Sequence, residues 1–302
     1  MSGTAVTIGA YDGVHLGHRA LLRDLSAQAA ARGLSTVVVT FDRHPASVVR
    51  PDSAPLQLTD LAQKIELLEA CGIDRILVIA FDRSRADESA EDFVKEVLVD
   101  TLEARLVVVG EDFHFGHGRK GNVALLSELG RQYGFDVVGA RLTGDGTDAV
   151  SSTRIRTLVA AGDVEAAAAL LGRPHEVRGL IVHGDGRGGP ELGFPTANFA
   201  IGDDIALPAD GIYAGYFTRQ DGSVHPAAVS VGRRPTFYQP GTAPVLVEAY
   251  LLDFEGDLYG EASRVSFVRR LRGDQKFDSV DALIAQMRQD VAAAHQVLSA
   301  AT

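Results

Sequence analysis

Hydrophobic and polar residues follow two different periods in the first half of the chain. Short runs of β-branched and other apolar residues are separated by longer stretches in which apolar positions recur every three or four residues. The runs predict buried strands and the longer stretches predict amphipathic helices, so their alternation predicts a parallel sheet covered on both faces. The predicted strands are 5–9, 36–41, 75–80, 106–110 and 136–139, and the predicted helices are 20–31, 60–70, 90–102 and 122–133.

The pattern changes at Gly172-Arg173-Pro174, where an alanine-rich helix meets a glycine and then a proline. Such residues end helices, so we predict a boundary between domains 1–171 and 172–302. Short strands separated by Gly, Pro and Asp then predict a small antiparallel barrel, with strands at 176–183, 212–218, 225–230, 245–251 and 263–267. A last helix should pack on this barrel through Val280, Leu283, Ile284, Met287, Val291 and Leu298.

Composition excludes several classes of protein. The 302 residues carry a formal net charge of −11, so we expect no nucleic-acid partner, and a local basic cluster must hold any anionic ligand. Cys71 is the one cysteine, which excludes an internal disulfide and a cysteine-rich metal site. The sequence has neither a secretory signal nor a stretch of roughly 20 apolar residues, so we expect a cytoplasmic protein without a membrane partner. Protein partners are left open.

The stretch Thr7–His18 connects the first predicted strand to the first predicted helix. His15 and His18 stand three residues apart at the helix start, so their side chains share the face near the free backbone N–H groups. A helix N-terminus attracts anions, and neighbouring glycines let a ligand approach the backbone closely. This pattern predicts a phosphate cradle. The alternative interpretation is two surface histidines on an ordinary helix.

Three further segments of the first half carry candidate chemistry, since ligands of parallel sheets bind where strands end. In Phe41-Asp42-Arg43-His44-Pro45, the phenylalanine could stack on an aromatic ring and the histidine could meet a phosphate, although a proline-terminated loop would look the same. Asp112 follows the fourth strand. The segment Ser-Ser-Thr-Arg-Ile-Arg at 151–156 supplies more phosphate donors than a helix cap requires.

The second half carries its polar motifs early. A loop with three glycines and an arginine at 184–188 follows the first barrel strand, and its backbone N–H groups could converge on a phosphate. The segment Gly-Phe-Pro-Thr-Ala-Asn follows at 193–198. Glu248 lies in an alternating strand, where an exposed glutamate without a function is common.

Together these motifs resemble the bacterial bifunctional riboflavin kinase/FMN adenylyltransferase (FAD synthetase) family over residues 5–295. His15-Leu16-Gly17-His18 and Ser-Ser-Thr-x-Ile-Arg are similar to two phosphate motifs of the nucleotidyltransferase superfamily, and Gly-Phe-Pro-Thr-Ala-Asn is similar to the riboflavin kinase signature. The resemblance implies an α/β fold: a Rossmann-like nucleotidyltransferase domain with a parallel sheet, then an antiparallel β-barrel kinase domain with a C-terminal helix. It implies that the barrel phosphorylates riboflavin to FMN with ATP. The first domain is then expected to adenylylate FMN to FAD and to release pyrophosphate.

The resemblance also implies roles for individual residues. The catalytic residues would be His15, His18 and Arg156 for adenylyl transfer and Glu248 as the base of the kinase. ATP would be bound by Gly9, Asp12, Gly17, Asp112, Ser152, Thr153, Gly184, Gly186, Arg187 and Gly188. Phe41, His44 and Arg272 would bind flavin, and Thr196 and Asn198 would hold Mg²⁺.

Three positions depart from the family pattern. Tyr11 stands where phenylalanine is more common, and Asp274 stands where glutamate is usual. The phosphate loop of the kinase carries one extra residue and the rigid Pro190. Two alternatives therefore stay open: an enzyme with one active half, and a flavin-binding protein without catalysis.

Overall fold

The computed structural model describes residues 3–140, 150–183, 194–233 and 245–300. The chain divides into two compact units, Met1–Ser152 and Thr153–Thr302, and each is described by itself. The boundary after residue 171 that the sequence predicts lies later in the chain than this division and stays a prediction.

A parallel sheet of five strands forms the centre of the first unit. Its strands are β1 (Thr4–Ile8), β2 (Ser35–Phe41), β3 (Arg75–Ile79), β4 (Ala104–Gly110) and β7 (Asp136–Ala140), and β5 (His114–Phe115) and β6 (Gly121–Asn122) form a separate short hairpin. The order in the sheet is β3-β2-β1-β4-β7, and all neighbours are parallel. All five predicted strands are therefore confirmed.

Helices follow the strands in the order that the sequence predicts. They are α1 (Leu16–Arg32), α2 (Ala46–Val49), α3 (Leu61–Glu69), α4 (Arg83–Asp87), α5 (Ala90–Phe93) and α6 (Val123–Tyr133), with 3₁₀ turns at Pro51–Ser53 and His117–Arg119. The predicted helix 90–102 is split, because α5 continues as a π-helix over Val94–Thr101. Neighbouring strand residues pack into different apolar clusters: Val37 and Val39 lie in one and Val38 lies in the other. Both faces of the sheet are thus buried.

The described part of the second unit is a closed barrel with three helices. The helices are α7, which begins at the division between the units (Ser152–Ala161), α8 (Val164–Leu171) and α9 (Val280–Ser299). The strands are β8 (His175–Val182), β9 (Ala197–Ala200), β10 (Gly211–Thr218), β11 (Val224–Arg233), β12 (Val245–Leu251) and β13 (Ala262–Gly273). They close in the order β10-β11-β12-β9-β8-β13, and every pair is antiparallel. The sequence predicted five of these strands and missed β9.

The barrel interior is filled by large side chains, and α9 covers part of the outside. Phe217 and Phe267 are completely buried inside the barrel. On the outer face, Ala294 and Leu298 of α9 pack in one cluster with Ala214. Val280 was expected on the packed face of this helix, but it is 59% exposed. The prediction is wrong there because Val280 is the first residue of α9, and the fully packed stripe lies several turns further along the helix.

Candidate active sites

The loop between β1 and α1 lies at a switch point in the strand order of the first unit. From β1 the chain proceeds through β2 and β3 on one side, whereas β4 lies on the other side of β1. Ligands of open α/β sheets bind outside the carboxyl ends of the strands at such a point. Gly9, just after β1, and the exposed Asp112, just after β4, therefore lie at the edge where a ligand is expected.

His15 and His18 form a stacked pair at the start of α1. His15 is the buried N-cap residue, and its Nδ1 accepts a hydrogen bond from the backbone N of His18 at 3.3 Å. The two ring centroids lie 3.6 Å apart, with 15° between the ring planes. A Cβ on Gly17 would approach the His15 ring to 3.1 Å, so a glycine here lets the pair form. The predicted sharing of one face is confirmed.

The ring of His18 lies in a buried environment beside His15. Burial lowers the pKa of His18 well below its usual value of 6.5, and the charge of His15 lowers it further. Within residues 3–140, 150–183, 194–233 and 245–300, the buried Nδ1 of His18 has no hydrogen-bond partner. Buried polar atoms are almost always paired, so an unpaired nitrogen at a helix N-terminus points to a ligand oxygen.

The loop that presents the histidines contains strained backbone. Tyr11 and Val14 adopt φ angles of 50° and 38°, which cost non-glycine residues about 1–3 kcal/mol each. The Tyr11 hydroxyl lies 2.6 Å from the Thr7 hydroxyl, and burial raises the pKa of the phenol. The Tyr11 ring also packs 5.0 Å from His18. The tyrosine that departs from the family pattern thus helps to hold the loop through a bond that phenylalanine cannot make.

Asp12 connects this loop to the segment before α3. The buried carboxylate accepts hydrogen bonds from the backbone N of Leu58, at 2.9 and 3.1 Å, and from the backbone N and hydroxyl of Thr59, at 3.2 and 3.3 Å. The Thr59 hydroxyl in turn accepts from the backbone N of Gly13 at 3.1 Å. Asp12 therefore fixes the loop, and its contact with ATP stays a prediction.

The second phosphate motif begins at the same loop. The Ser152 hydroxyl donates to the backbone oxygen of Asp12 at 2.9 Å, across 140 residues of sequence. Thr153 is exposed, and Arg156 is half-buried one turn further along α7. The structure thus brings Ser152 to the histidine loop, and the contacts of Ser152, Thr153 and Arg156 with ATP stay predictions.

The end of β2 is held by a buried lysine that the sequence analysis missed. Lys64 is 4% exposed, and its Nζ donates to the backbone oxygen of Phe41 at 2.7 Å. Burial lowers the pKa of Lys64, and the charges of Asp12 and Asp42 oppose this change. At the same strand end, the ring of Phe41 is half-buried. The Nδ1 of His44 accepts a hydrogen bond from the backbone N of Ala46.

In the second unit, strand register places the predicted kinase residues side by side. Glu248 of β12 lies opposite Asn198 of β9 on one side and Ser230 of β11 on the other. Val247 and Ala249 point into the barrel core, so alternation places Glu248 on the outer face. The pairs continue into a line of residues that we call the outer-face row: Val182, Asn198, Glu248, Ser230, Ile212 and Arg272, in that order.

Neighbouring contacts support Asn198 and Arg272 of this row. The amide nitrogen of Asn198 donates to the backbone oxygen of Thr196 at 3.3 Å. Phe194 packs edge-on against Tyr250, with ring centroids 5.3 Å apart, and this contact anchors the segment before β9. At the other end, Arg272 donates to both carboxylate oxygens of Asp290 on α9, at 2.9 and 2.7 Å.

The predicted loop residues Gly184, Gly186, Arg187 and Gly188 lie outside the described residues, as does Pro190. Lys64, Asp290 and Ser230 were not predicted. Their signal in the sequence is weak, since the partners of Lys64 and Asp290 lie 23 and 18 residues away. No group of three His, Cys, Asp or Glu side chains in the described part of the chain could hold a metal ion.

Comparison with known proteins gives the same division into two activities. Residues 1–154 match the family model for FAD synthetase, and residues 171–298 match the model for riboflavin kinase. The chain is 38% identical to the bifunctional riboflavin kinase/FMN adenylyltransferase of Escherichia coli over 288 residues, which are 95% of this chain and 90% of that protein. It is 35% identical to the protein of the same name from Haemophilus influenzae, over 96% of this chain and 93% of that protein.

One similar solved structure spans both units. A Streptococcus pneumoniae protein named as a macrolide-efflux protein superposes with a TM-score of 0.85 and 32% sequence identity, over 97% of this chain and 94% of that one. In the described ranges of our chain, no helix combines the length and apolar character needed to cross a bilayer.

Proposed function

Because this chain belongs to the bifunctional riboflavin kinase/FMN adenylyltransferase family, we propose how individual residues of its two units make FMN and FAD. The N-terminal domain adenylylates FMN with ATP and releases pyrophosphate, and the C-terminal domain phosphorylates riboflavin with ATP. The observation that carries the residue assignments is the stacked pair of His15 and His18 at a helix start, in which the Nδ1 of His18 has no hydrogen-bond partner among the described residues. The Asn198–Glu248 register pair is its counterpart in the barrel.

In the N-terminal unit, the two histidines bind the phosphates of ATP. A phosphate beside His18 offsets the cost of burying its charge, so binding of the anion favours the protonated imidazole. The positive ring then stabilises the charge on the α-phosphate while an FMN phosphate oxygen attacks and pyrophosphate leaves. This reaction depends on positioning and electrostatics and requires no covalent enzyme intermediate. We assign Ser152, Thr153 and Arg156 as further phosphate contacts.

In the C-terminal unit, Glu248 is the general base that takes the proton from the ribityl 5′-hydroxyl of riboflavin. Its place in the centre of the outer-face row supports this assignment, because polar partners flank it on both sides. The family uses ATP with a divalent cation, and we propose that the cation is Mg²⁺. Mg²⁺ takes few protein ligands beside water and phosphate oxygens, so the Thr196 hydroxyl and the Asn198 amide oxygen fit it. These two residues would place the cation beside Glu248.

Two single substitutions test the separation of the sites. The protein is incubated with riboflavin, ATP and Mg²⁺, and FMN and FAD are resolved by chromatography. His18→Ala should accumulate FMN without FAD, whereas Glu248→Ala should form no FMN but still adenylylate supplied FMN. His295→Ala and Glu255→Ala are matched controls because both side chains are exposed, and they should leave both steps unchanged.

The same assay decides between the alternatives. A wild-type protein that performs one step only would show that one half is inactive, and flavin binding without turnover would show a binding protein. If either variant lost both steps equally while staying folded, the assignment of separate sites would be wrong. A cytoplasmic location and the absence of nucleic-acid and membrane partners stay predictions from the sequence.

A further inference from the structure

We propose that Asp290 is a positioning residue of the riboflavin kinase site, which acts by holding the guanidinium of Arg272 at the end of the outer-face row. The inference rests on the proposed function, because it assumes that Arg272 contacts the flavin. Asp290 is 6% exposed, and it lies near the middle of α9, far in sequence from every motif described above. A buried carboxylate in this place needs a reason, since isolated buried charges are costly.

Helix α9 presents one stripe of residues at a spacing of four to the barrel: Gln286, Asp290, Ala294 and Leu298. The apolar end of the stripe packs with Ala214 and Ala228, which lie two residues along their strands from Ile212 and Ser230 of the row. The polar end of the stripe therefore begins where the covered part of the barrel ends. Asp290 lies at this border, and the outer-face row lies beside it.

The contacts of Asp290 orient Arg272 in a defined way. Arg272 Nε and Nη2 donate to the two carboxylate oxygens, and the amide of Gln286 donates to one of them at 2.9 Å. Arg272 Nη1 donates to the backbone oxygen of Gly273 at 3.0 Å. Phe277 lies beside the guanidinium, 5.8 Å from its carbon. Among the described residues these bonds engage three of the five N–H groups of the arginine, so two N–H groups can donate to a flavin.

The strand itself turns Arg272 toward the helix. Ile212 of β10 pairs with Arg272 and Tyr213 pairs with Arg270, so Leu271 is an extra residue on β13. Such a β-bulge redirects a side chain, and bulges are common beside active sites. A bulge, a bidentate ion pair and a supporting amide together fix one arginine at the row. The ion pair and its supporting amide are not needed to pack α9 on the barrel, because the apolar end of the stripe already packs there.

The test is the steady-state kinetics of Asp290→Asn in the full-length protein. Loss of a charge-assisted contact to the flavin should raise the KM for riboflavin about tenfold to a hundredfold, with a smaller effect on kcat and on the KM for ATP. FMN adenylylation by the other domain should stay unchanged and serves as an internal control for the enzyme concentration. Asp281→Asn is a matched control on the exposed first turn of α9.

A double-mutant cycle separates positioning from a general structural role. If Asp290 acts through Arg272, the double variant Arg272→Ala/Asp290→Asn should raise the KM for riboflavin no more than Arg272→Ala alone. Multiplication of the two single effects would overturn the proposal, as would an unchanged KM in Asp290→Asn when Arg272→Ala raises it. A loss of kcat with an unchanged KM would mean a reduced folded fraction and would also overturn it. If wild-type protein did not phosphorylate riboflavin at all, the proposed function itself would fail first.

Discussion

Replacement of Asp12 by alanine should loosen the loop between β1 and α1 in the adenylyltransferase unit. The carboxylate is 5% exposed and accepts from the backbone N of Leu58 and of Thr59. Alanine leaves both buried N–H groups without their acceptor, and each such group costs about 1–3 kcal/mol. We therefore expect a loss of about 2–6 kcal/mol in the local stability of this loop.

Backbone strain makes this loss local. The positive φ angles of Tyr11 and Val14 persist only while neighbouring bonds hold them, and Asp12 lies between these two residues. Without its carboxylate, the chain can relax toward ordinary angles, and the backbone oxygen that accepts from Ser152 shifts as well. Adenylylation should therefore fall even if Asp12 never touches ATP. Riboflavin phosphorylation should be unaffected, because its residues lie in the other unit.

Hydrogen exchange at the amides of Leu58 and Thr59 measures the predicted loss directly. Their exchange should accelerate by about 30-fold or more in Asp12→Ala, as 2 kcal/mol or more requires. Asp12→Asn keeps one acceptor oxygen and should give an intermediate effect. Asp24→Ala, on the exposed face of α1, is the control. An acceleration below about fivefold at both amides would refute the reasoning that these bonds hold the loop.

Three further predictions concern other residues. Because burial lowers the pKa of His18, the unfolded chain binds a proton more readily than the native one. The N-terminal unit should therefore lose stability as the pH falls below about 6.5. In thermal unfolding, the His18→Gln variant should lose less stability over this pH range than the wild type. Lys64→Met removes the bond to the backbone of Phe41, so the KM for FMN should rise several-fold without a change in riboflavin phosphorylation; an unchanged KM would contradict this. Phe267 is fully buried in the barrel, so Phe267→Ala leaves a cavity and should lower the free energy of unfolding in denaturant by about 3–5 kcal/mol. Kinase activity should be lost at a lower denaturant concentration than adenylylation.

The sequence predicted the elements whose pattern is long and regular. The five strands of the parallel sheet are continuous apolar runs. The alternation of apolar and polar residues predicted most of the barrel strands. Strand β9 was missed because it has only four residues, Ala197–Ala200, directly after a segment rich in glycine and proline. The split of the helix over 90–102 was also missed, since the buried residues of its π-helical part, Val94, Val97 and Leu98, stand at the i, i+3 and i+4 positions that predict an α-helix.

Long-range pairing explains what the sequence could not show in the candidate sites. Lys64 stands in an amphipathic helix among residues of ordinary helical composition, and its partner is a backbone oxygen at the end of a different strand. Asp290 is a polar position in a helix whose apolar face was predicted. Only the fold shows that its partner is Arg272. A pattern of residue types contains neither register nor the distance between elements.

Both units place a buried charged residue beside the end of a strand, and neither Lys64 nor Asp290 was predicted from the sequence. In each unit, residues from distant segments meet at one edge or one face, and a buried charge supports groups that we propose as ligand contacts. Lys64 supports the end of β2 in one case, and Asp290 supports the end of β13 in the other. A buried charge is costly unless its partners are fixed, so each one also penalises any shift of the strand end that it holds. Substitutions at these supports should therefore impair substrate binding before they impair the chemistry, whereas substitutions at His18 or Glu248 should do the opposite.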